Sequence, residues 1–301
     1  MLLDPNDKWH LRALEERYVE GVGVVNRPGG SFRPDAACWA ILALRAAGGD
    51  ARVVENARRL LADTQTQDGR VPVSAEQPDA YWPTALAVLA WHGAPQYQES
   101  QARALQFLLE CAEVKTPDPS EALPGHDVTI KGWAWIAGTH PWVEPTAYVI
   151  LALRACGRMT HWRAQGGVHL LLDRQLPSGG WNYGNTFTFG TESRPTAETT
   201  GIGLQALAGL TPKDSVKNSI AYMQSEVALL HAPMSLAWAI LALHAWQETV
   251  DRPQERILQA LARQKKFGPH NTVSLSLLTL AWHCRTGLVD FFERADWQGE
   301  K

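Results

Sequence analysis

The segment WAILAL occurs twice, at residues 39–44 and 238–243, and a third run, WVEPTAYVILALR from Trp142, repeats most of it. Weaker copies are TALAVLAWHG from Thr84, TTGIGLQALAGL from Thr199 and VSLSLLTLAWHC from Val273, which brings the set to six. Self-similarity at this spacing points to one supersecondary unit used repeatedly, and that constrains the fold more than any other feature of the chain. Four copies open with proline in an x-Pro-Thr/Asp-Ala pattern, at Arg33-Pro34-Asp35-Ala36, Trp82-Pro83-Thr84-Ala85, Glu144-Pro145-Thr146-Ala147 and Arg194-Pro195-Thr196-Ala197. Proline suits the first helical position, where its missing N–H would have no intrahelical partner. The spacing therefore predicts helix starts there, with Arg33, Trp82, Glu144 and Arg194 as N-caps.

Between the apolar runs lie stretches such as ARVVENARRLLADTQ and ESQARALQFLLECAE, which keep one polar face at helical spacing. Helices of that kind face water on one side, whereas helices apolar all round are buried. Two concentric rings satisfy both. An open array of helix pairs would need polar end repeats, yet the first and last apolar runs are as greasy as the middle ones. The expected fold is all-α, an (α/α)6 barrel of six inner and six outer helices forming a single domain over residues 1–301.

The formal net charge is −3 and no basic run is present, which excludes a nucleic-acid footprint. The start MLLDPNDKWH has no basic-then-apolar leader pattern, and no apolar segment reaches the roughly 18 residues of a membrane span. A soluble, cytoplasmic protein is expected. Its four cysteines are scattered through apolar patterns, as reduced buried thiols would be. Thirteen tryptophans are more than a core needs, so some should line a cavity.

The connection RQLPSGGWNYGN, from Arg174, has a Gln…Gly-x-Trp form, and TQDGRVPVS from Thr66 is a degraded copy. With the six inner-helix runs, this resembles the toroid family of terpenoid cyclases and protein prenyltransferases over nearly the whole chain, and the connection is similar to the repeat motif of squalene-hopene cyclases. The proton-initiated cyclases carry an Asp-x-Asp-Asp-Thr-Ala motif whose middle aspartate protonates the substrate. Trp142-Val143-Glu144-Pro145-Thr146-Ala147 resembles it, with Glu144 on the acid and Trp142 and Pro145 where aspartates would flank it. The resemblance thus implies a catalytic acid role for Glu144. His270 resembles the zinc-ligating histidine of the prenyltransferases, but HAPMSL from His231 lacks the accompanying aspartate and cysteine. No metal or other cofactor is implied.

In such a barrel the inner helices start at one mouth, and their first turns line a common pocket. The side chains placed there are Phe32, Arg33, Asp35, Tyr81, Trp82, Glu144, Tyr148, Arg194, Glu198, His231, His270 and Asn271. Two arginines and converging helix N-termini would favour an anionic group, while the aromatics would suit an apolar tail or a carbocation. The connection from about 113 to 143 and the stretch 176–194 are long and weakly periodic, and long loops on rigid scaffolds often serve as lids. GWAWIAGTHPWV would bring Trp133, Trp135 and Trp142 over the pocket beside Glu144. Trp39 and Trp238 fall within inner helices as filling, and Trp181 braces its turn.

The function expected from the resemblance is a terpenoid-cyclase-like enzyme acting on an isoprenoid or other apolar lipid, with Glu144 as general acid. The alternatives are a non-catalytic lipid-binding protein on the same fold, a carbohydrate-active barrel using Glu144 with Asp35 or Glu198, and a helical scaffold. The expected partner is an apolar small molecule, with transient contact at a membrane surface and no nucleic acid; a protein partner stays open.

Overall fold

The structure is a computed structural model that describes residues 9–111 and 125–293. Its helices are α1 (Trp9–Glu15), α2 (Pro34–Ala47), α3 (Ala51–Asp63), α4 (Pro83–Trp91), α5 (Gln98–Glu110), α6 (Val143–Ala155), α7 (Trp162–Asp173), α8 (Ala197–Leu207), α9 (Lys217–Glu226), α10 (Pro233–Ala245), α11 (Pro253–Ala262), α12 (Gln264–Phe267), α13 (Thr272–His283) and α14 (Leu288–Glu293). Two short hairpins, β1 (Tyr18–Val19) with β2 (Gly23–Val24) and β3 (Phe187–Thr188) with β4 (Thr191–Glu192), complete the described elements.

The alanine-rich helices form a ring. α2 packs on α4, α4 on α6, α6 on α8, α8 on α10, α10 on α13, and α13 returns to α2. α1, α3, α7, α9 and α11 each pack outside the seam between two inner helices, and α5 packs on α4. The inner helices are buried along nearly their whole length, whereas α3 buries Val54, Ala57, Arg58 and Leu61 and exposes its other face. The closed two-layer arrangement follows directly from those two hydropathy patterns. The first outer helix is short: after Glu15 the chain turns into β1, and Gly21 and Gly23 take positive φ in the hairpin.

The seam that closes the ring is stitched by polar groups. The Thr272 hydroxyl donates to the Val25 carbonyl (2.6 Å), the Thr272 N–H to Asn26 (2.9 Å), and Arg17 to the His270 carbonyl (3.0 Å). In three of the inner helices, a threonine hydroxyl near the helix start accepts an N–H from the preceding loop: Thr84 of α4 from Val71 (2.9 Å), Thr146 of α6 from Trp133 (3.0 Å) and Thr200 of α8 from Trp181 (3.0 Å). The Gln…Gly-x-Trp connection works as a brace. Trp181 donates to the Leu171 carbonyl, Gln175 to Ser215, and a Cβ on Gly179 would stand 2.5 Å from the Asn218 carbonyl oxygen. The copy at Gln65 does the same, donating to Ser100 while Gly69 lies against Arg103.

At the C-terminal ends of the inner helices α14, which the sequence pattern did not mark, packs across α6, α8 and α10. Arg45 lies over the Phe291 ring, His92 bonds the Phe292 carbonyl (3.1 Å), and Leu288 N–H meets Gln205 (3.0 Å). That end of the ring is covered by α14, so the helix starts at the opposite end are where a site would open. No described helix is long and apolar enough to cross a membrane.

The ring also needs close helix approach at α8 against α10. A Cβ on Gly201 would lie 2.6 Å from the Trp238 Cβ and 2.8 Å from its carbonyl oxygen. Gly201→Ala is expected to destabilise the protein by about 1–3 kcal/mol, because the backbone clash outweighs alanine's better helix propensity. Urea denaturation measures it, and an unchanged or raised midpoint would contradict the tight α8–α10 contact.

Candidate functional site

Glu144 lies in the first turn of α6, one residue inside the helix. The N-cap is Trp142, not Glu144, and Pro145 stands at the third helical position, so the proline reading was two residues out here. Four residues on, the Tyr148 hydroxyl donates to Glu144 Oε1 at 2.7 Å. That pairing follows from the i,i+4 spacing, which places both on one helix face.

Glu144 keeps some accessible surface, yet burial pushes its pKa up to about 7. This combination fits a side chain on the wall of a concavity. The Tyr148 hydrogen bond acts in the opposite direction by stabilising the charged form, and the nearby Glu198 carboxylate raises the value further. Glu198, in the first turn of α8, accepts from the Ser235 hydroxyl of α10. Asp35, in the first turn of α2, is buried and held by Arg33 through two bonds of 2.9 and 3.0 Å. Its charge also acts on Tyr148.

Beneath and beside these groups the aromatic rings form a continuous chain. Trp135 meets Trp82 edge-on (5.2 Å), Trp82 stacks on Tyr148 (6.4 Å), Tyr148 meets Trp39 (5.8 Å) and Trp39 meets Trp238 (5.7 Å). Such edge-to-face and stacked pairs are favourable beyond the area they bury. Trp142 lies at the same mouth, with Gly184 packed on its indole.

Other expected members face elsewhere. Tyr81 packs edge-on against Phe107 of α5 and accepts from the Ala134 N–H, so it braces the outer layer. Trp133 is buried between layers, donating to the Leu108 carbonyl with Arg163 over its ring. Arg194 is exposed and two residues ahead of the α8 N-cap, which is Thr196. In this repeat Glu198-Thr199-Thr200 takes the place that Glu144-Pro145-Thr146 has in α6, since Thr200 and Thr146 hold equivalent loop amides. The proline copy at 194–197 is thus displaced by one helical turn.

The histidines do not converge. His231 is exposed ahead of α10, and the His270 ring bonds the Ala260 carbonyl of α11 at 3.0 Å. Asn271 is the α13 N-cap, accepting from Ser274 N–H at 2.8 Å. The expected anion cradle is also not assembled: Arg33 is neutralised by Asp35, Arg194 is turned to solvent, and the first turns contribute three carboxylates. Of the long connection 113–143, residues up to 124 lie outside the described residues; in its described part Trp135 meets Trp82 at the start of α4, and Trp142 is the N-cap of α6. Sequence reasoning placed Trp39 and Trp238 as filling and missed Ser235. The conspicuous signal was the gapless alignment of WAILAL with YVILAL, which puts Trp39, Tyr148 and Trp238 at one repeat position.

No protein-family model matches the chain, and no curated protein matches its sequence. Solved structures do match. The type II terpene cyclase MstE from Scytonema, in complex with merosterolic acid A, superposes with a TM-score of 0.56 at 17% identity, covering 91% of this chain and 96% of that one. A protein from Actinoplanes gives 0.56 at 14% identity, covering 92% and 99%. The ent-copalyl diphosphate synthase from Streptomyces platensis gives 0.51 at 16% identity, over 83% of this chain and 50% of that one. MstE has also been solved with geranylgeranyl dihydroxybenzoate as substrate. The chain therefore has the all-α fold of the type II terpene cyclases.

The raised pKa of Glu144 has a stability consequence. A carboxyl whose folded pKa lies above its unfolded value of 4.5 favours folding fully at low pH, and the contribution is lost as pH rises through about 7. Above that, the fold carries a desolvated charge. Relative to wild type, Glu144→Gln should therefore gain about 1–3 kcal/mol of stability between pH 5 and pH 8.5. Chemical denaturation at the two pH values gives the difference between the proteins, and the same difference at both would mean Glu144 is not desolvated.

Proposed function

We propose that the protein binds an isoprenoid or similarly apolar lipid at the N-terminal mouth of the barrel and performs acid-initiated, cyclase-type chemistry on it, with Glu144 as the acid. The observation that carries this reading is a desolvated carboxyl with a pKa of about 7, set among aromatic faces. A group with that pKa is about half protonated near neutrality and can both give and recover a proton. The similar fold of enzymes solved with a prenylated substrate or a terpenoid product supports the substrate class.

The missing aspartate partners bear on which substrates suit the site. Trp142 and Pro145 stand where aspartates would flank Glu144, and the nearby carboxylate, Glu198, raises its pKa and so weakens it as an acid. A bare alkene is demanding for such an acid. An epoxide is less so: the Glu144 proton passes to the epoxide oxygen as its C–O bond breaks, leaving an alcohol and a carbocation. An internal π bond then closes on the cationic carbon, and the ring cation loses a proton back to the Glu144 carboxylate. Atoms balance as an isomerisation. The faces of Trp82, Trp135 and Tyr148 are the groups that would stabilise the cation.

Exposed apolar side chains on loops that enter the inner helices, Ile136, Phe189 and Leu229, would suit brief contact with a lipid surface during loading. The carrier reading rests on the same pocket and on the missing aspartates, and one experiment separates the two. Purified protein is incubated with prenyl alcohols, their terminal epoxides and their diphosphates, and the extracts are analysed by gas chromatography–mass spectrometry. Wild type should yield cyclic isomers of an epoxide, and Glu144→Gln should lose at least about a hundredfold in turnover while still binding. Binding without product in both proteins would establish a carrier.

Tyr148→Phe sharpens the acid assignment. Removing a donor to the carboxylate disfavours its charged form, so the Glu144 pKa rises. The alkaline limb of the turnover–pH profile should then move to higher pH than in wild type; a limb that stays put would leave Glu144 without its titrating role.

A further inference from the structure

Three copies of the repeat align without a gap over the same five positions: Asp35 to Trp39 in α2, Glu144 to Tyr148 in α6 and Met234 to Trp238 in α10. Residues four apart share a helix face, so each aromatic ring lies one turn below the mouth residue of its helix. The three helices are not neighbours. α4 separates α2 from α6, α8 separates α6 from α10, and α13 separates α10 from α2.

Rings from alternate helices can meet only across the lumen. Trp39 does so twice, with centroids 5.8 Å from Tyr148 at an interplanar angle of 64° and 5.7 Å from Trp238 at 81°. Trp39 and Trp238 are each 2% exposed and Tyr148 is 4% exposed, so no solvent-sized gap is left between them. One turn below this level Leu42, Leu151 and Leu241 are buried. Space reached from the mouth therefore ends about 6 Å beneath Glu144, four residues at 1.5 Å rise.

We infer that Trp39, Tyr148 and Trp238 form an aromatic diaphragm that limits ligand length, with Trp39, the residue that touches both others, determining specificity. This rests on the reading that the pocket takes an isoprenoid. The part of the ligand that passes Glu144 is no longer than roughly one isoprene unit, so the preferred ligand is compact. The charge-free floor also selects an apolar terminus, because a polar group pressed against three ring faces would lose its water without gaining a partner.

The test is isothermal titration of wild type, Trp39→Ala and Trp39→Leu with dimethylallyl alcohol, geraniol, farnesol and geranylgeraniol, and separately with indole. Wild-type affinity should fall at least tenfold from geraniol to geranylgeraniol, and wild type should not bind indole. In Trp39→Ala the optimum should move by at least one isoprene unit, and indole should bind and raise the melting temperature by refilling the vacated space. Trp39→Leu, which leaves a smaller void, should move the optimum in the same direction should the alanine variant fail to fold. A folded variant with the wild-type length profile and no indole binding overturns the diaphragm. Indole binding by Trp39→Ala without binding of any prenyl alcohol by wild type supports the diaphragm and overturns the isoprenoid assignment.

Discussion

Closure of α13 onto α2 is the contact on which the rest depends. Either helix alone is an apolar rod with no polar face, and each hides its inner-ring surface only because the other lies beside it. The seam is narrow in polar terms, with the Thr272 hydroxyl and N–H both spent on carbonyls of the chain just before α2. Those bonds fix the level at which the first and last inner helices meet. Once that level is set, the first turns of α2, α6 and α8 bring Asp35, Glu144 and Glu198 to one mouth, and the last turns gather under α14 at the other.

At the open mouth two electrostatic effects compete. A helix N-terminus favours negative charge and the Tyr148 hydroxyl adds a direct donor, and both favour an ionised Glu144. Desolvation and the charge on Glu198 favour the protonated form, and they win, to about 7. The balance matters more than either effect. A carboxyl held lower would be too weakly protonated near neutrality to serve as an acid, and one held much higher would be too weak an acid to give its proton up. The Arg33 guanidinium engages both oxygens of the nearby Asp35 carboxyl.

The ring of helices was readable because burial on all sides leaves a composition that no amphipathic surface helix can share, and six copies of it left few alternatives. Cap positions were less readable. Proline marks a helix start in α2 and α4, but in α6 it stands two residues inside, and ahead of α8 it precedes the helix altogether. A proline is tolerated anywhere in the first turn or just before it, so it dates the start of a helix only to within a turn. Tyr81 and Trp133 show the same limit at side-chain level. Tyr81 precedes Trp82 and Trp133 lies two residues before Trp135, yet both turn toward α5, because residues close in sequence can point to different layers.

The amino-acid sequence by itself determined the class of elements, their number in the inner ring and the vertical pairing of acid over aromatic. These depend on composition and on residues four apart, both local properties of a helix. Tertiary structure decided which of those pairs share space. Trp39, Tyr148 and Trp238 are more than a hundred residues apart in part, and only ring closure brings their faces together across the lumen. It also decided that α14 seals one mouth and that His231 and His270 stay apart, because both depend on how far each helix rotates and slides against its neighbours, which no local pattern encodes.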